Sequence, residues 1–265
     1  MDTTNLVVVL NRPQRVTNLG AAVRAMKNMG LTRLRLVRPA PFERDDLLGI
    51  AHRSEDILDA LQVFDTLDAA LADAVFVAGT TSRPRGVLAR TATPREAAPE
   101  LLARTAAGPV ALLFGPEDNG LTNDELDRCH LALTIPTDPA YPSLNLAQAV
   151  LLVAYELRMA ATSAAALPGR GAQPTPEMDA PGQAPARAEQ LEELFGAAER
   201  ALWGIEFFKA GRAPGIMRTL RSLVHRAEPT AREAKLLIAM CVEVLNFLRR
   251  HGVEPGRPPA DRADG

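Results

Sequence analysis

The sequence lacks the features that mark several large protein classes. No apolar run approaches the roughly 20 residues that a membrane-spanning helix needs, and the opening MDTTNLVVVLNRP lacks the basic start and long apolar segment of a secretion signal. Cys129 and Cys241 lie far apart, and the four histidines are scattered, so neither residue type shows a metal-ligand spacing. We therefore expect a cytoplasmic protein with reduced thiols, no metal and no membrane partner.

Common nucleotide-binding and hydrolytic motifs are also missing. There is no G-x-G-x-x-G after the first apolar run, no Walker loop, no G-x-S-x-G and no H-E-x-x-H. With two Tyr and one Trp, extensive stacking on nucleic-acid bases is not expected either. Any ligand must be held by other means, such as loops rich in main-chain amides and small polar side chains.

Charge is unevenly distributed behind a net charge of −2. Residues 1–40 carry seven basic side chains against Asp2 alone, and residues 200–251 carry ten against four acidic ones. Residues 41–79, in contrast, carry nine acidic side chains against two arginines. Such basic segments fit either a polyanionic partner or ordinary solvated helix faces, and charge alone does not choose between the two.

Short apolar runs alternate with helix-forming segments over the first 166 residues. The predicted strands are Leu6–Leu10, Leu34–Val37, Ala74–Ala78, Val110–Phe114 and Leu131–Ile135. The predicted helices are one from a cap at Asn18 to Met29 with Gly30 as its stop, Leu67–Ala72 capped by Thr66, Pro94–Ala107, and a long, largely buried helix from Leu144 to Ala166. This alternation predicts an α/β fold with a parallel sheet covered on both faces.

Two loops follow the last two predicted strands, Gly115–Gly120 and Pro136–Ser143. Thr122 and Glu125 fit a capping box at the start of the helix after the first loop. Because the carboxyl ends of parallel strands meet at one edge of a sheet, both loops are expected there, where open α/β sheets bind ligands. Gly79–Thr93 is predicted to be a further long loop.

The chain is predicted to contain a large domain and a smaller helical appendage. Residues 1–166 form the α/β domain, and 167–188, rich in Pro, Gly, Ala and Gln, is predicted to be a flexible linker. Residues 189–251 show helical spacing over Leu191–Phe208, Pro214–Arg226 and Pro229–Arg250. The tail 252–265 is expected to be disordered.

Three segments, NLGAAVRAMKNMG, LLFGPEDNGLTNDEL and IPTDPAYPSLNLAQAV, resemble the motifs of the SpoU-type RNA 2′-O-methyltransferases of the SPOUT superfamily. The resemblance covers Leu6 to about Arg158, and the helical appendage is similar to that of the TrmJ-like branch. It implies a parallel sheet with a trefoil knot, S-adenosyl-L-methionine as cofactor, a homodimer, and tRNA as substrate. By resemblance, the target is cytidine or uridine at the first position of the anticodon loop, position 32.

The resemblance also implies a set of site residues. The family's motif residues fall on Asn18, Arg24, Glu117, Ser143 and Asn145, taken as catalytic. The implied cofactor contacts are Thr80, Thr81, Ser82, Gly115, Ile135, Pro142, Ser143 and Leu144. Arg12, Arg15, Arg83 and Arg85 share loops near the site and are candidate RNA phosphate contacts.

Several of these residues have simpler interpretations. Asn18, Ser143 and Asn145 are good helix caps, and Glu117 could bond to the amides of its own loop. Tyr141 is expected to pack rather than to stack on a base, and Cys129 and His130 are expected to be structural. Arg24 is interpreted as a phosphate clamp, because a guanidinium stays protonated and is a poor general base. Methylation of ribosomal RNA or another tRNA site, and a non-catalytic RNA-binding role, stay open as alternatives.

Overall fold

A computed structural model describes residues 3–82, 90–166, 184–208 and 212–254 of the chain, with side chains of 164–166 excepted. The chain divides into two compact units, Met1–Glu177 and Met178–Gly265. Arg83 and Arg85, residues 167–183 of the predicted linker and residues 255–265 of the predicted tail lie outside the described residues.

The first unit contains a seven-stranded sheet in which every described pairing is parallel. Its strands are β1 (Leu6–Asn11), β2 (Arg33–Val37), β3 (Gln62–Phe64), β4 (Phe76–Thr80), β5 (Thr91–Ala92), β6 (Val110–Phe114) and β7 (Leu131–Leu133). Their order is β3-β2-β1-β6-β4-β7-β5. Successive residues of β1 and β6 are all buried, and since successive side chains point to opposite faces, both faces of the sheet are covered.

Seven helices accompany the strands in the described part of this unit. They are α1 (Val16–Met29), α2 (Arg44–Ile50), α3 (Glu55–Asp59), α4 (Leu67–Leu71), α5 (Pro94–Arg104), α6 (Asn123–Leu126) and α7 (Leu146–Ala166). Helix α7 packs against α1 and α5. The start of α7 is bonded to the start of α1 through Asn145 and Asn18, and Arg158, further along α7, donates to the carbonyl of Met29 at the end of α1. The two helices therefore run in the same direction.

The predicted parallel α/β architecture is confirmed, and so are three local predictions. Gly30 ends α1 in the left-handed conformation, with φ of 79°. Thr66 caps α4 through the amide of Ala69. Thr122 and Glu125 form the predicted capping box of α6.

Other details differ from the prediction. Helix α1 begins at Val16, so Asn18 lies inside its first turn and does not cap it. Strand β7 ends at Leu133, and β4 separates it from β6, so the two predicted loops do not follow adjacent strands. The short strand β5 falls in the predicted loop Gly79–Thr93, and β3 falls in a segment for which no strand was predicted. One face of α7 is exposed, so this helix is less buried than predicted.

The position of β7 bears on the implied knot. Strands β4 and β5 are consecutive in the chain, yet β7 lies between them in the sheet. The chain beyond β7 therefore leaves the sheet between two strands that residues 81–90 connect. Since 83–89 lie outside the described residues, the trefoil knot stays a prediction.

The second unit contains three helices in its described residues, α8 (Ala188–Gly204), α9 (Ala213–Ala227) and α10 (Ala231–Arg250). Its core includes Leu191, Leu194, Phe195, Met217, Val224 and Ala234. A capping box at Thr230 and Glu233 fixes the start of α10. No helix in the described part of either unit is long and apolar enough to cross a membrane.

Candidate active site

The loops after β4, β6 and β7 enclose a cleft of about 300 Å³ at the carboxyl edge of the sheet. All eight residues predicted as cofactor contacts line this cleft: Thr80, Thr81, Ser82, Gly115, Ile135, Pro142, Ser143 and Leu144. The lining combines small hydroxyl groups with apolar side chains such as Leu121 and Leu133. Such a mixture suits a ligand with apolar and polar parts, such as a nucleoside linked to an amino acid.

The loop after β6 is folded tightly on itself at Gly115. A Cβ atom on this residue would lie 2.3 Å from the carbonyl carbon of Gly120 and 2.4 Å from the amide nitrogen of Leu121. Glycine is therefore required so that the two ends of the loop can touch. Gly120, with φ of 65°, completes the reversal in a conformation that other residues rarely adopt.

Glu117 connects this loop to the start of α1. Its carboxylate accepts hydrogen bonds from the amides of Gln14 at 2.9 Å and Arg15 at 3.1 Å, and from Asn18 Nδ2 at 3.0 Å. Neither an acidic residue in the first turn nor a side-chain cap serves α1 from within its own sequence. Glu117 therefore supplies from another element the negative charge that a helix N-terminus favours.

Hydrogen bonding decides the charge state of Glu117. Partial burial would raise the pKa of its carboxyl, but the hydrogen bonds from Asn18 and from the backbone amides of Gln14 and Arg15 outweigh burial. The pKa is held below the ordinary value of 4.5. Glu117 is thus a carboxylate near neutral pH and acts as an acceptor, not as an acid.

Asn18 and Asn145 extend the same network to α7. Asn145 donates from Nδ2 to Asn18 Oδ1 at 2.8 Å, while its own Oδ1 accepts from the amide of Ala147 at 2.9 Å. Asn145 is therefore a helix cap and also a link between α7 and α1. Glu117, Asn18 and Asn145 form one chain of hydrogen bonds across the β6 loop, α1 and α7.

Arg24 lies apart from this network. Its side chain is exposed, and its guanidinium donates to the carbonyl of Ile50 at 3.5 Å. It is not among the residues that line the cleft. Six residues separate it from Asn18, and since an α-helix turns about 100° per residue, the two side chains point about 120° apart.

The predicted RNA contacts have different surroundings. Arg12, with φ of 51°, forms an ion pair with Glu125 at 2.6 Å, and Glu125 also accepts from Asn11 Nδ2 at 2.7 Å. Arg15 presents its amide to Glu117 while its side chain is exposed. The prediction for Arg83 and Arg85 falls outside the described residues.

Tyr141 was expected to pack, and this is wrong, because it is 81% exposed. Cys129 and His130 are structural as expected. Burial raises the pKa of the Cys129 thiol, and His130 Nδ1 accepts from the amide of Val77 while its ring stacks on Phe76. Among described residues, no group of His, Cys, Asp or Glu is arranged to hold a metal ion.

Several lining residues were not singled out from the sequence. They are Phe114, Pro116, Asp118, Asn119, Gly120, Leu121, Leu126, Leu133, Leu146 and Ala149. Seven of them, 114, 116, 118–121 and 126, belong to the same motif as Gly115 and Glu117, so the quoted motif already contained the signal. Recognising their place in the cleft required the fold of the loop.

Comparisons with known proteins identify the family of the chain. The sequence model of the SpoU rRNA Methylase family matches residues 5–155, which include every described residue of the cleft. The chain belongs to the SpoU methylase family. The resemblance inferred from the three motifs is thereby confirmed.

Relatives extend beyond the family domain. The protein of Cronobacter sakazakii named tRNA (cytidine/uridine-2'-O-)-methyltransferase TrmJ is 36% identical over 91% of this chain and 96% of its own length. A protein of the same name from Klebsiella pneumoniae is 37% identical over similar shares. The crystal structure of TrmJ from Z. mobilis ZM4 has a TM-score of 0.74 at 35% identity, covering 90% of this chain and 98% of that one. The resemblance to the TrmJ-like branch is confirmed by these matches.

Proposed function

We propose that the protein is an S-adenosylmethionine-dependent methyltransferase that modifies a ribose 2′-hydroxyl of tRNA. The observation that carries the proposal is the convergence of the loops after β4, β6 and β7 on one cleft, in a chain that matches curated tRNA 2′-O-methyltransferases over nine-tenths of their length. When bound, the cofactor supplies an electrophilic methyl group on a sulfonium.

The residues of the cleft fit this cofactor. Hydroxyl groups of Thr80, Ser82 and Ser143 stand beside the apolar side chains of Ile135 and Leu144. The hydroxyl groups suit the ribose and the amino-acid part of the cofactor, while the apolar side chains suit the flat adenine. We propose Thr80, Thr81, Ser82, Gly115, Ile135, Pro142, Ser143 and Leu144 as its contacts.

A ribose hydroxyl is a weak nucleophile, so the protein must orient it and stabilise the negative charge that develops on oxygen. We propose that Arg24 orients the ribose by binding the phosphate next to it, and that its positive charge stabilises the negative charge that develops nearby. Its exposed guanidinium can form a bidentate pair with a phosphate, whereas the weak contact to Ile50 is easily exchanged. The hydrogen bonds among Glu117, Asn18 and Asn145 fix the position of α1 beside the cleft.

The protein is further proposed to be a homodimer with a shared substrate pocket. Helix α7 exposes an apolar stripe formed by Leu151, Leu152, Tyr155 and Met159, which are 38–44% exposed. Residues three and four apart in a helix share a face, so these side chains form one surface. A second copy that covers it could present its Arg24 to the cleft, since Arg24 does not line the cleft of its own chain.

Recognition of RNA is proposed to rest on its backbone. Arg15 is exposed beside the cleft loop, and Arg12 would have to leave Glu125 to reach a phosphate. Arg83 and Arg85 stay candidates from sequence alone. By resemblance, the target is cytidine or uridine at the first position of the anticodon loop, which would place the activity in the cytoplasm.

A methyl-transfer assay tests the proposal. Purified protein is incubated with methyl-labelled S-adenosylmethionine and either bulk tRNA or ribosomal RNA from cells that lack this protein, and modified nucleosides are then mapped. We expect 2′-O-methylcytidine and 2′-O-methyluridine in tRNA only. Label in ribosomal RNA alone would support the other substrate. Absence of cofactor binding at millimolar concentration would support the non-catalytic RNA-binding alternative.

A further inference from the structure

Among the described residues, the charged side chains that line the cleft itself are both acidic. Glu117 and Asp118 are the two charged members of the lining, and the others are apolar or neutral and polar. Glu117 has its carboxylate committed to three donors at the start of α1. Asp118, in contrast, is exposed to solvent at the cleft. The carboxylate of Asp118 is therefore the charged group that is accessible to a ligand in the cleft.

Asp118 is held in place and stays ionised. Its Oδ1 accepts from the amide of Asn119 at 2.8 Å. A hydrogen bond from the Gln14 side chain, together with weaker contributions from Asn119 and the charge of Arg12, keeps the pKa of this carboxyl below its ordinary value of 3.8. The lining of the cleft therefore contains an exposed carboxylate that is held in position.

The proposed reaction changes the charge of the bound cofactor. A bond forms between the ribose oxygen and the methyl carbon, the carbon–sulfur bond breaks with its electron pair going to sulfur, and the hydroxyl proton passes to water. Sulfur begins as a cationic sulfonium and ends as a neutral thioether. A nearby negative charge therefore acts differently on the methyl donor and on the product.

We propose that Asp118 makes the cleft select the sulfonium form of the cofactor over the neutral thioether product. This inference rests on the proposed function and assigns a specificity-determining role to a residue that is not among the predicted site residues. The carboxylate stabilises the charged donor, and this attraction disappears once the methyl group has left. Asp118 would thus favour exchange of product for fresh donor.

The expected effect is small because Asp118 is exposed and its charge is screened by water. One exposed ion pair changes a binding constant by about two- to fivefold. Raising the ionic strength should reduce the difference further, since exposed charges are screened within about 10 Å at 0.1 M salt.

Calorimetric titration of the full chain tests this role. The probes are S-adenosylmethionine, S-adenosylhomocysteine and sinefungin, which carries an amine in place of the sulfonium. In Asp118→Asn, we expect the Kd of the two cationic ligands to rise about two- to fivefold while the Kd of S-adenosylhomocysteine does not change. Asp118→Glu should keep the selectivity, and Asp46→Asn, the same change at an exposed site on α2, should alter none of the three.

Each other outcome has a distinct meaning. An equal loss of affinity for all three ligands in Asp118→Asn, or no loss for any, would overturn the inference and leave the proposed function intact. If Asp118→Asn unfolds, loss of selectivity in Asp118→Glu would overturn it instead. Failure of the unaltered protein to bind any of the three would overturn the proposed function itself.

Discussion

The loop after β6 and the outer face of α1 carry two parts of one predicted catalytic set, and they differ in how they are held. Glu117 in the loop accepts three hydrogen bonds within its own chain. Arg24 on α1 has one long contact to a carbonyl and is otherwise exposed. The loop that lines the cleft is thus held by several bonds within the chain, whereas the guanidinium of Arg24 is held by one weak contact.

This difference has a physical reason. A pocket for a small cofactor must be rigid before binding, so its loops are fixed by local bonds and by close glycine contacts. A residue that clamps an RNA phosphate must instead be free to form its ion pair when the substrate arrives. The contrast predicts that substitutions in the two regions will separate cofactor binding from methyl transfer.

The largest effect on activity is expected from Arg24→Ala. Loss of the phosphate clamp should lower methyl transfer by about 100-fold or more, while cofactor affinity and stability stay close to those of the unaltered protein. Transfer assays and calorimetry measure the two properties separately. Lys27→Ala, one turn further along the exposed side of α1, is the matched control, and loss of cofactor binding in Arg24→Ala would place this residue in the cleft after all.

Gly115→Ala should have the largest effect on the cofactor side. Its Cβ would overlap the backbone of Gly120 and Leu121, so the loop must open. We expect a loss of about 2–3 kcal/mol in the free energy of unfolding and weaker binding of S-adenosylmethionine, measured by denaturant titration and calorimetry. Gly49→Ala, where a Cβ meets no atom within 4 Å, is the control. An unchanged cofactor Kd in Gly115→Ala would contradict a role of this loop in binding the cofactor.

Glu117→Gln should have a smaller effect on stability. The amide keeps one acceptor oxygen, but its NH₂ group must face at least one of the three donors, because these are divided between the two carboxylate oxygens; this should cost about 1–3 kcal/mol. Since α1 starts at this carboxylate, the cofactor Kd should also rise, and Glu55→Gln on the exposed start of α3 should change neither property. If methyl transfer falls while stability and the cofactor Kd stay unchanged, Glu117 would act on the substrate and not by fixing α1 beside the cleft.

The same carboxylate predicts a dependence of stability on pH. Because its folded pKa lies below the ordinary value of 4.5, its contribution is complete above that value and is lost as the pH falls through the folded pKa. Unfolding curves from pH 7 downward should therefore show a smaller acid loss of stability in Glu117→Gln than in the unaltered protein. Parallel curves would mean that the carboxylate is not stabilised by folding.

Met159→Glu is expected to have the smallest effect on the stability of the single chain and the clearest effect on dimer formation. A charge on the exposed face of α7 should leave folding almost unchanged, because exposed substitutions usually cost less than about 0.5 kcal/mol. It should convert a dimer to a monomer in sedimentation experiments and lower methyl transfer with it. A dimer that persists unchanged in Met159→Glu would contradict the proposed interface on α7.

Much of the fold followed from local patterns in the sequence. Buried strands such as β1 and β6 are continuous apolar runs, and Thr122 with Glu125 carries its capping signal within four residues. The short strands β3 and β5 were missed because two or three residues are too few to show the alternation of buried and exposed side chains that marks a strand. Their pairing also depends on partners far along the chain. The start of α1 was misplaced because its cap, Glu117, lies about a hundred residues away.

The candidate site, like the fold, was predictable only in part. The resemblance to a known family implied which residues gather at the cleft, and the loops after β4, β6 and β7 bring them together there. The motifs could not predict that Gly115 is needed for contact within its own loop, that Glu125 binds Arg12, or that Asp118 faces the cleft. Each of these depends on a distance between segments, which spacing in the sequence does not encode.

A crystal structure of the protein with S-adenosylmethionine is the most direct test of the central claim, that loops after β4, β6 and β7 hold the methyl donor. We predict the cofactor in contact with Thr80, Gly115, Ile135 and Leu144, with its sulfonium on the side of Asp118. A cofactor bound on another face of the sheet, or no cofactor at saturating concentration, would contradict the account.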